Sequence, residues 1–290
     1  MRIGVIGTKG GWSSERLADA VARRTGERIL IDMADVRLDL PSGRVVNGGV
    51  ELSGLDGLII KKIGARYSPD LLDRLELLRF LAERGIPVFS SPMRILRVLD
   101  RLSCTITLQL ASIPMPPTTI TEDRNHALAA VEDYGEAVFK PLYTSKARGM
   151  TLIRRGADAA QRIETFADEY PIMYIQKTVD LGGSDLGVVF LGGEYLTTYS
   201  RRMHSGAWNT TTASGGKYEP FDPPVEIIEL ARRAQEPFGL DFTCVDVALT
   251  KDGPYVFEVS AFGGFKGLLE ARGIDAAELY TDFVIGRIGG

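Results

Sequence analysis

Residues Thr243–Gly264 read TCVDVALTKDGPYVFEVSAFGG, and the reading of this stretch decides the fold. Two β-rich runs, Thr243–Leu249 and Tyr255–Val259, flank Thr250-Lys251-Asp252-Gly253-Pro254. Alternating apolar and β-branched residues around Gly-Pro punctuation predict a hairpin. Each run carries one acid among apolar neighbours, Asp246 in Cys-Val-Asp-Val and Glu258 in Val-Phe-Glu-Val. A buried carboxylate is unfavourable unless a partner or a metal compensates it. Two acids on neighbouring strands can face each other and share a hard cation through oxygen ligands. Magnesium that also takes oxygens from a substrate's phosphates is the simplest such site. Spacing alone equally allows two unrelated acids that point to solvent from a half-exposed sheet.

At 290 residues the chain has room for two or three lobes. Its 44% hydrophobic and 25% charged residues are ordinary for a globular protein. A formal net charge of −4 gives no general reason to bind nucleic acid or an acidic membrane. The start lacks a basic-then-apolar leader and no long apolar run follows, so a cytoplasmic protein without a membrane span is expected. Cys104 and Cys244 lie far apart, with only His126 and His204 to help them. That pattern predicts two buried thiols and no Cys/His metal site.

Outward from the hairpin, the chain opens with a strand, Met1–Gly7, a loop Gly7-Thr8-Lys9-Gly10-Gly11-Trp12-Ser13-Ser14, and a helical pattern from Glu15 to Arg24. This is a β-loop-α start. Glycines before a helix can cradle phosphates, but the loop lacks the Gly-Lys-Ser/Thr ending of a P-loop. A tight turn with Ser13 or Ser14 capping the helix, or a loop for an acceptor carboxylate, are the other readings. Arg28–Asp32 reads as a strand, Arg44–Leu52 as a hairpin turning at Asn47-Gly48, and Leu55–Lys61 as a buried strand. A helix over Leu71–Arg84 ends at Gly85, and a strand follows over Ile86–Ser90. Residues 1–92 are therefore expected to form a small α/β domain, and residues 93–290 the second domain.

Beyond Pro92 the spacing predicts one amphipathic helix over Arg94–Leu110. Ala137–Lys140 is a strand ending in Lys, Ala157–Glu169 a helix, and Pro171–Val179 a strand with a polar end. Val188–Leu191 and Glu194–Ser200 form a hairpin followed by Arg201-Arg202. Pro224–Phe238 is a long helix ended by Gly239, and a final helix runs from Ala276 to about Ile285.

Val-Asp-Val followed by Gly-Pro-Tyr-Val-Phe-Glu-Val-Ser-Ala resembles the metal-binding end of ATP-grasp ligases, and most of all the RimK-like type, the alpha-L-glutamate ligases. The order of motifs supports the resemblance across nearly the whole chain. It implies an ATP-grasp fold behind a small α/β pre-ATP-grasp domain, with ATP and Mg2+ bound between lobes. Asp246, Glu258 and Ser260 stand at the metal-ligand positions, Ser260 where the family usually has Asn. Arg101, in Asp100-Arg101, stands where a phosphate-binding Lys is usual. Lys140 would pair with phosphates. Tyr143–Met150 resembles the flexible loop over the triphosphate, with Ser145, Arg148 and Gly149 matching, and Thr144 and Ala147 in place of glycines.

Gln176-Lys177-Thr178-Val179 matches the adenine hinge, with Lys177 at the usual Glu. Asp185 matches an ATP-associated Asp, and Gly187 replaces an Arg. Arg202 is the residue expected beside the transferring phosphoryl group. Asn209 and Thr211 would add phosphate or metal contacts, and His204 is an expected structural or exposed residue.

The resemblance thus implies an ADP-forming carboxylate–amine ligase working through an acyl phosphate. It would join glutamate or another amino acid to a carboxylate on a protein, peptide or small molecule, and the resemblance also suggests a homo-oligomer. A degenerate nucleotide sensor or scaffold without ligase activity is the competing reading, motivated by Arg101, Lys177, Gly187, Asn209 and Ser260. A phosphotransferase on the same fold is a third.

Overall fold

The strand Ile3–Ile6 is buried at every position, as a continuous apolar run covered on both faces should be. It lies inside a parallel sheet whose order is Ile29–Ile31, Ile3–Ile6, Gly57–Ile60, Val88–Phe89. A computed structural model describes residues 1–144, 147–202 and 217–290. The first helix, Trp12–Thr25, begins earlier than its apolar pattern and ends at Gly26, whose φ of 81° suits glycine. Gly11 is its N-cap, and neither Ser13 nor Ser14 caps it. Ser14 Oγ instead accepts from the Thr8 amide at 3.1 Å, and Glu15 accepts from the Gly10 amide at 2.6 Å. A small antiparallel sheet, Val36–Asp39, Arg44–Asn47 and Val50–Glu51, projects beside this unit; its second turn is Gly48-Gly49, with Asn47 the last paired strand residue before it.

Two antiparallel sheets follow. One has the order Thr151–Arg154, Glu136–Lys140, Met173–Lys177, Thr118–Thr121. Helices Arg124–Tyr134 and Ala159–Glu169 cover it and share with it a separate core built on Phe139, Phe166, Ile163 and Ile175. The other has the order Lys217–Pro220, Glu194–Arg202, Ser184–Leu191, Phe242–Thr250, Gly253–Ser260. Val188, Phe190, Val245 and Val247 of this sheet join one core with Ile31, Leu58 and Ile60 of the parallel sheet. Its opposite face, through Tyr199, Phe242 and Cys244, packs with the first helix and the last, Ala276–Gly289. Ion pairs Arg16–Asp275 at 2.8 Å and Arg24–Asp282 at 2.7 Å tie those two helices along their length.

The single helix expected over Arg94–Leu110 is two, Pro92–Leu99 and Arg101–Leu110. Asp100 breaks it: its backbone is extended, and its carboxylate accepts from the Leu102 and Ser103 amides at 3.2 and 3.1 Å. An Asp that captures amides of the next turn favours a cap over helix continuation. The break sets Arg101 at the first position of a new helix, turned toward the loop after Lys140. Among the described residues no helix is long and apolar enough to cross a membrane. Asp100→Ala removes this cap and is expected to lower stability by about 1 kcal/mol. The effect should read as a lower urea midpoint at unchanged slope.

Candidate active site

The hairpin Phe242–Thr250 and Gly253–Ser260 forms as expected, but its register carries a bulge. Thr250 pairs with Gly253, and the ladder runs regularly to Val247 opposite Val256; then Asp246 pairs with Glu258. Phe257 is the extra residue. Without it Asp246 would oppose Phe257, and the two acids would lie on opposite faces of the sheet, because side chains alternate with a period of 2. The bulge re-aims the second strand so that both carboxylates share one face.

Asp246 continues a cross-strand row with Gly187 and Tyr199. The Tyr199 ring fills the space over Gly187, where an added Cβ would come within 2.3 Å of it. This explains why no larger side chain stands at 187. One position along, Asp185 and Arg201 face each other directly. Arg201 Nε donates to Asp185 at 3.0 Å, and its Nη2 lies 3.0 Å from Asp246. Burial works against the Arg201 charge, but Asp246 and Asp185 hold its pKa well above the usual value. For Asp246, burial together with Asp185 and Glu258 outweighs Arg201 and pushes the carboxyl up to about 7. Arg202, the residue expected at the centre, projects from the other face, 68% exposed and paired with Glu219 at 3.1 Å. Strand alternation turns Arg201 in and Arg202 out. The parity with buried Tyr199 was the available signal.

Across the cleft, Lys140 ends its strand with Nζ donating to Gln176 Oε1 at 2.5 Å. Gln176 in turn donates to Thr118 Oγ1 and Tyr174 OH, and the Tyr174 and Thr105 hydroxyls are hydrogen-bonded to each other at 2.9 Å. Lys140 is buried and stands 5.5 Å over the ring of Phe257, the bulge residue. Burial, aided by Arg101, pulls its amine down to about 7. Arg101 Nε donates to Pro141 O at 3.2 Å and its Nη2 to Thr144 O at 3.4 Å, holding the start of the flexible-loop segment.

Arg101, Thr144, Cys104, Thr105, Phe257 and Glu258 line one small cleft together with Tyr67. Tyr67 comes from the segment after Gly57–Ile60 and was not anticipated. Burial raises its pKa, Glu258 adds to this, and Arg101 and Arg148 oppose it, so those charges gather around one phenol.

In the loop, Ala147 keeps a glycine-like φ of 57°, a conformation costly for a residue with a Cβ. At the hinge, Lys177 is exposed and its amide donates to Pro117 O at 2.9 Å, while the Thr178 amide donates to Glu136 O at 3.2 Å. Val179 follows, half-buried. Ser145, His204, Asn209 and Thr211 lie outside the described residues.

Asp246 and Glu258 are hard oxygen donors of the kind magnesium takes. Ser260 follows on the same strand face, opposite Cys244, and its Oγ accepts from the Phe262 and Gly263 amides at 3.2 and 3.1 Å, closing the turn after the strand. Among the described residues no group of three or more His, Cys, Asp and Glu gathers at metal-binding distance. The two acids therefore fit a cation that draws its remaining ligands from water and phosphate oxygens. Cys104 and Cys244 are buried thiols, each pushed up to about 12 by burial, so neither supplies a thiolate.

Arg201→Ala leaves Asp185 and Asp246 uncompensated and is expected to cost about 3 kcal/mol of stability. Arg202→Ala should stay within about 0.5 kcal/mol of the parent. Urea unfolding of the two variants side by side checks the assignment of the inward arginine.

The sequence matches the RimK-like ATP-grasp domain over residues 98–284. It is 23% identical over 307 aligned positions to the tetrahydromethanopterin:alpha-L-glutamate ligase of Methanosarcina acetivorans, covering 94% of this chain and 95% of that protein. A probable alpha-L-glutamate ligase of Thioalkalivibrio sulfidiphilus is 26% identical, with 94% and 91% covered. The solved structure of the ATP-grasp ligase PsnB with its minimal precursor superposes with a TM-score of 0.76 at 17% identity, covering 99% of each chain, and so shares the fold. A parallel α/β unit, two facing antiparallel sheets and the matched domain sequence place the chain in the RimK-like ATP-grasp family, whose relatives named here are ligases.

Proposed function

We propose that this chain is an ADP-forming carboxylate–amine ligase that joins glutamate or a similar amino acid to a carboxylate on a protein, peptide or small molecule. The observation that carries the reading is the bulged register that sets Asp246 against Glu258, across a cleft from Lys140 and beside Arg201. The names of the relatives in Methanosarcina and Thioalkalivibrio favour glutamate, and the precursor bound to PsnB favours a peptide as one class of partner.

In this reading a substrate carboxylate oxygen attacks the γ-phosphorus of ATP, ADP leaves, and an acyl phosphate results. The nitrogen of an incoming amine attacks the acyl carbon, inorganic phosphate leaves, and the amine's proton passes to solvent as the amide forms. Such chemistry depends on positioning and on neutralising charge, consistent with a site poor in histidine and thiolate. Lys140, Arg101 and Arg148 would meet the phosphates, and Arg201 the transferring group. Asp246 and Glu258 would hold Mg2+, which neutralises phosphate charge when bound. Gln176, Lys177, Thr178 and Val179 would border the adenine through backbone groups. With the Lys177 and Thr178 amides engaged by Pro117 and Glu136, recognition would fall to the hinge carbonyls and the Val179 amide.

Two outcomes test the reading. Asp246→Ala and Glu258→Ala should each lower Mg2+-dependent ADP formation at least about 100-fold, with circular dichroism unchanged. Full activity in both variants removes the assignment. The second concerns Lys140, whose amine titrates at about 7 in the free protein. Phosphates raise that pKa, so at pH 8 an amine that is mostly neutral when free becomes charged when ADP binds. Calorimetry of ADP binding in buffers of different ionisation enthalpy should show proton uptake at pH 8, and Lys140→Met should abolish it.

A further inference from the structure

Lys61 is 1% exposed and heads the largest fully buried side chains among the described residues. It follows the strand Gly57–Ile60, and its own amide is fixed to Ile6 O at 2.9 Å. No salt bridge to a described residue accompanies its amine. Nζ donates to the carbonyl of Phe262 at 2.9 Å and stands 3.6 Å from the centre of the Phe265 ring. A buried ammonium without a carboxylate is costly, and burial pulls this amine down to about 7. An apolar side chain of the same length would fill the space without that cost. What it could not supply is the donor to Phe262.

Phe262 lies in the turn that leaves the strand carrying Glu258. Its amide is held from the other side by Ser260 Oγ, which also accepts from Gly263. The residue is thus gripped at both ends, its N–H by the metal-carrying strand and its C=O by the central part of the parallel sheet. The parallel sheet belongs to the first part of the chain, and Glu258 to the last. Beyond the bulge at Phe257 only a short stretch of ladder, Glu258–Ser260 against Cys244–Asp246, keeps Glu258 in register.

We propose that Lys61 is a positioning residue for the cation site. By anchoring the Phe262 carbonyl to the parallel sheet, it holds the end of the bulged strand so that Glu258 stays opposite Asp246. The inference rests on the ligase reading only in taking that pair as the seat of Mg2+.

The test is ADP binding by calorimetry at a series of Mg2+ concentrations, on the wild-type chain, Lys61→Met and Lys61→Gln. Lys61→Met keeps length and packing but loses the donor; Lys61→Gln keeps an uncharged N–H donor. The expected result is a Mg2+ concentration for half-maximal enhancement raised about tenfold in Lys61→Met. Affinity for ADP without Mg2+ and the melting temperature should be unchanged, and Lys61→Gln should fall between the two proteins. A wild-type Mg2+ dependence in Lys61→Met overturns the proposal. So does an equal loss of ADP binding with and without Mg2+, or failure of both variants to fold, since each assigns Lys61 to the fold alone. If wild-type binding of ADP does not respond to Mg2+ at all, it is the ligase reading that fails, a result distinct from any of these.

Discussion

The placement of one extra residue, Phe257, governs the candidate site. A β-ladder conveys position with a period of two, so the face on which Glu258 emerges depends on a single-residue shift. With the bulge, Glu258 meets Asp246 and the same distortion swings the Phe257 ring beneath Lys140 on the facing sheet. The facing acid pair and the floor of the cleft are therefore products of one irregularity. Turn geometry fixes the ladder from Thr250–Gly253 to Val247–Val256, and packing of Val245, Val256 and Val259 in the shared core fixes it beyond.

Charge in this cleft is divided unevenly between its two walls. Lys140 is buried and, among the described residues, forms no ion pair with a carboxylate; desolvation draws its amine down to about 7. Opposite it, Arg201 pairs with Asp185 and Asp246, and Glu258 faces Asp246 in the ladder. The amine on one wall and the surplus of carboxylate over guanidinium on the other leave each wall short of an opposite charge. In the free chain the same arrangement is costly, and the cost is borne by the shared core linking the parallel sheet to the five-stranded one.

Most elements were legible because their signals are local. The parallel strands read as unbroken apolar runs, Leu71–Arg84 read as a helix from its periodicity and Gly85, and Asn47-Gly48 marked its hairpin. The helix Arg124–Tyr134 also carries local signals, an Asp123 cap and Gly135 after its end. Where the reading failed, a local rule competed with another. Helical periodicity over 94–110 hid the capping preference of Asp100, and the Arg-Arg pair alone does not say which member turns inward, a matter of its parity with Tyr199. The apparent losses at Gly187 and Ala147 have physical explanations: a tyrosine ring fills the first space, and the second retains a left-handed backbone without glycine.

The sequence by itself determined the order of strands and helices, the presence of two acids in apolar strands, a lysine at a strand end, and through these the family. Tertiary structure decided that the acids face each other, that Arg201 is the arginine that reaches them, that Ser260 Oγ closes a turn, and that Lys61 reaches Phe262. The physical reason is common to all four. Composition and periodicity specify which residues are buried, whereas the direction in which a buried polar group points depends on register and on partners brought from elsewhere in the chain, and neither is encoded in the neighbourhood of the residue itself.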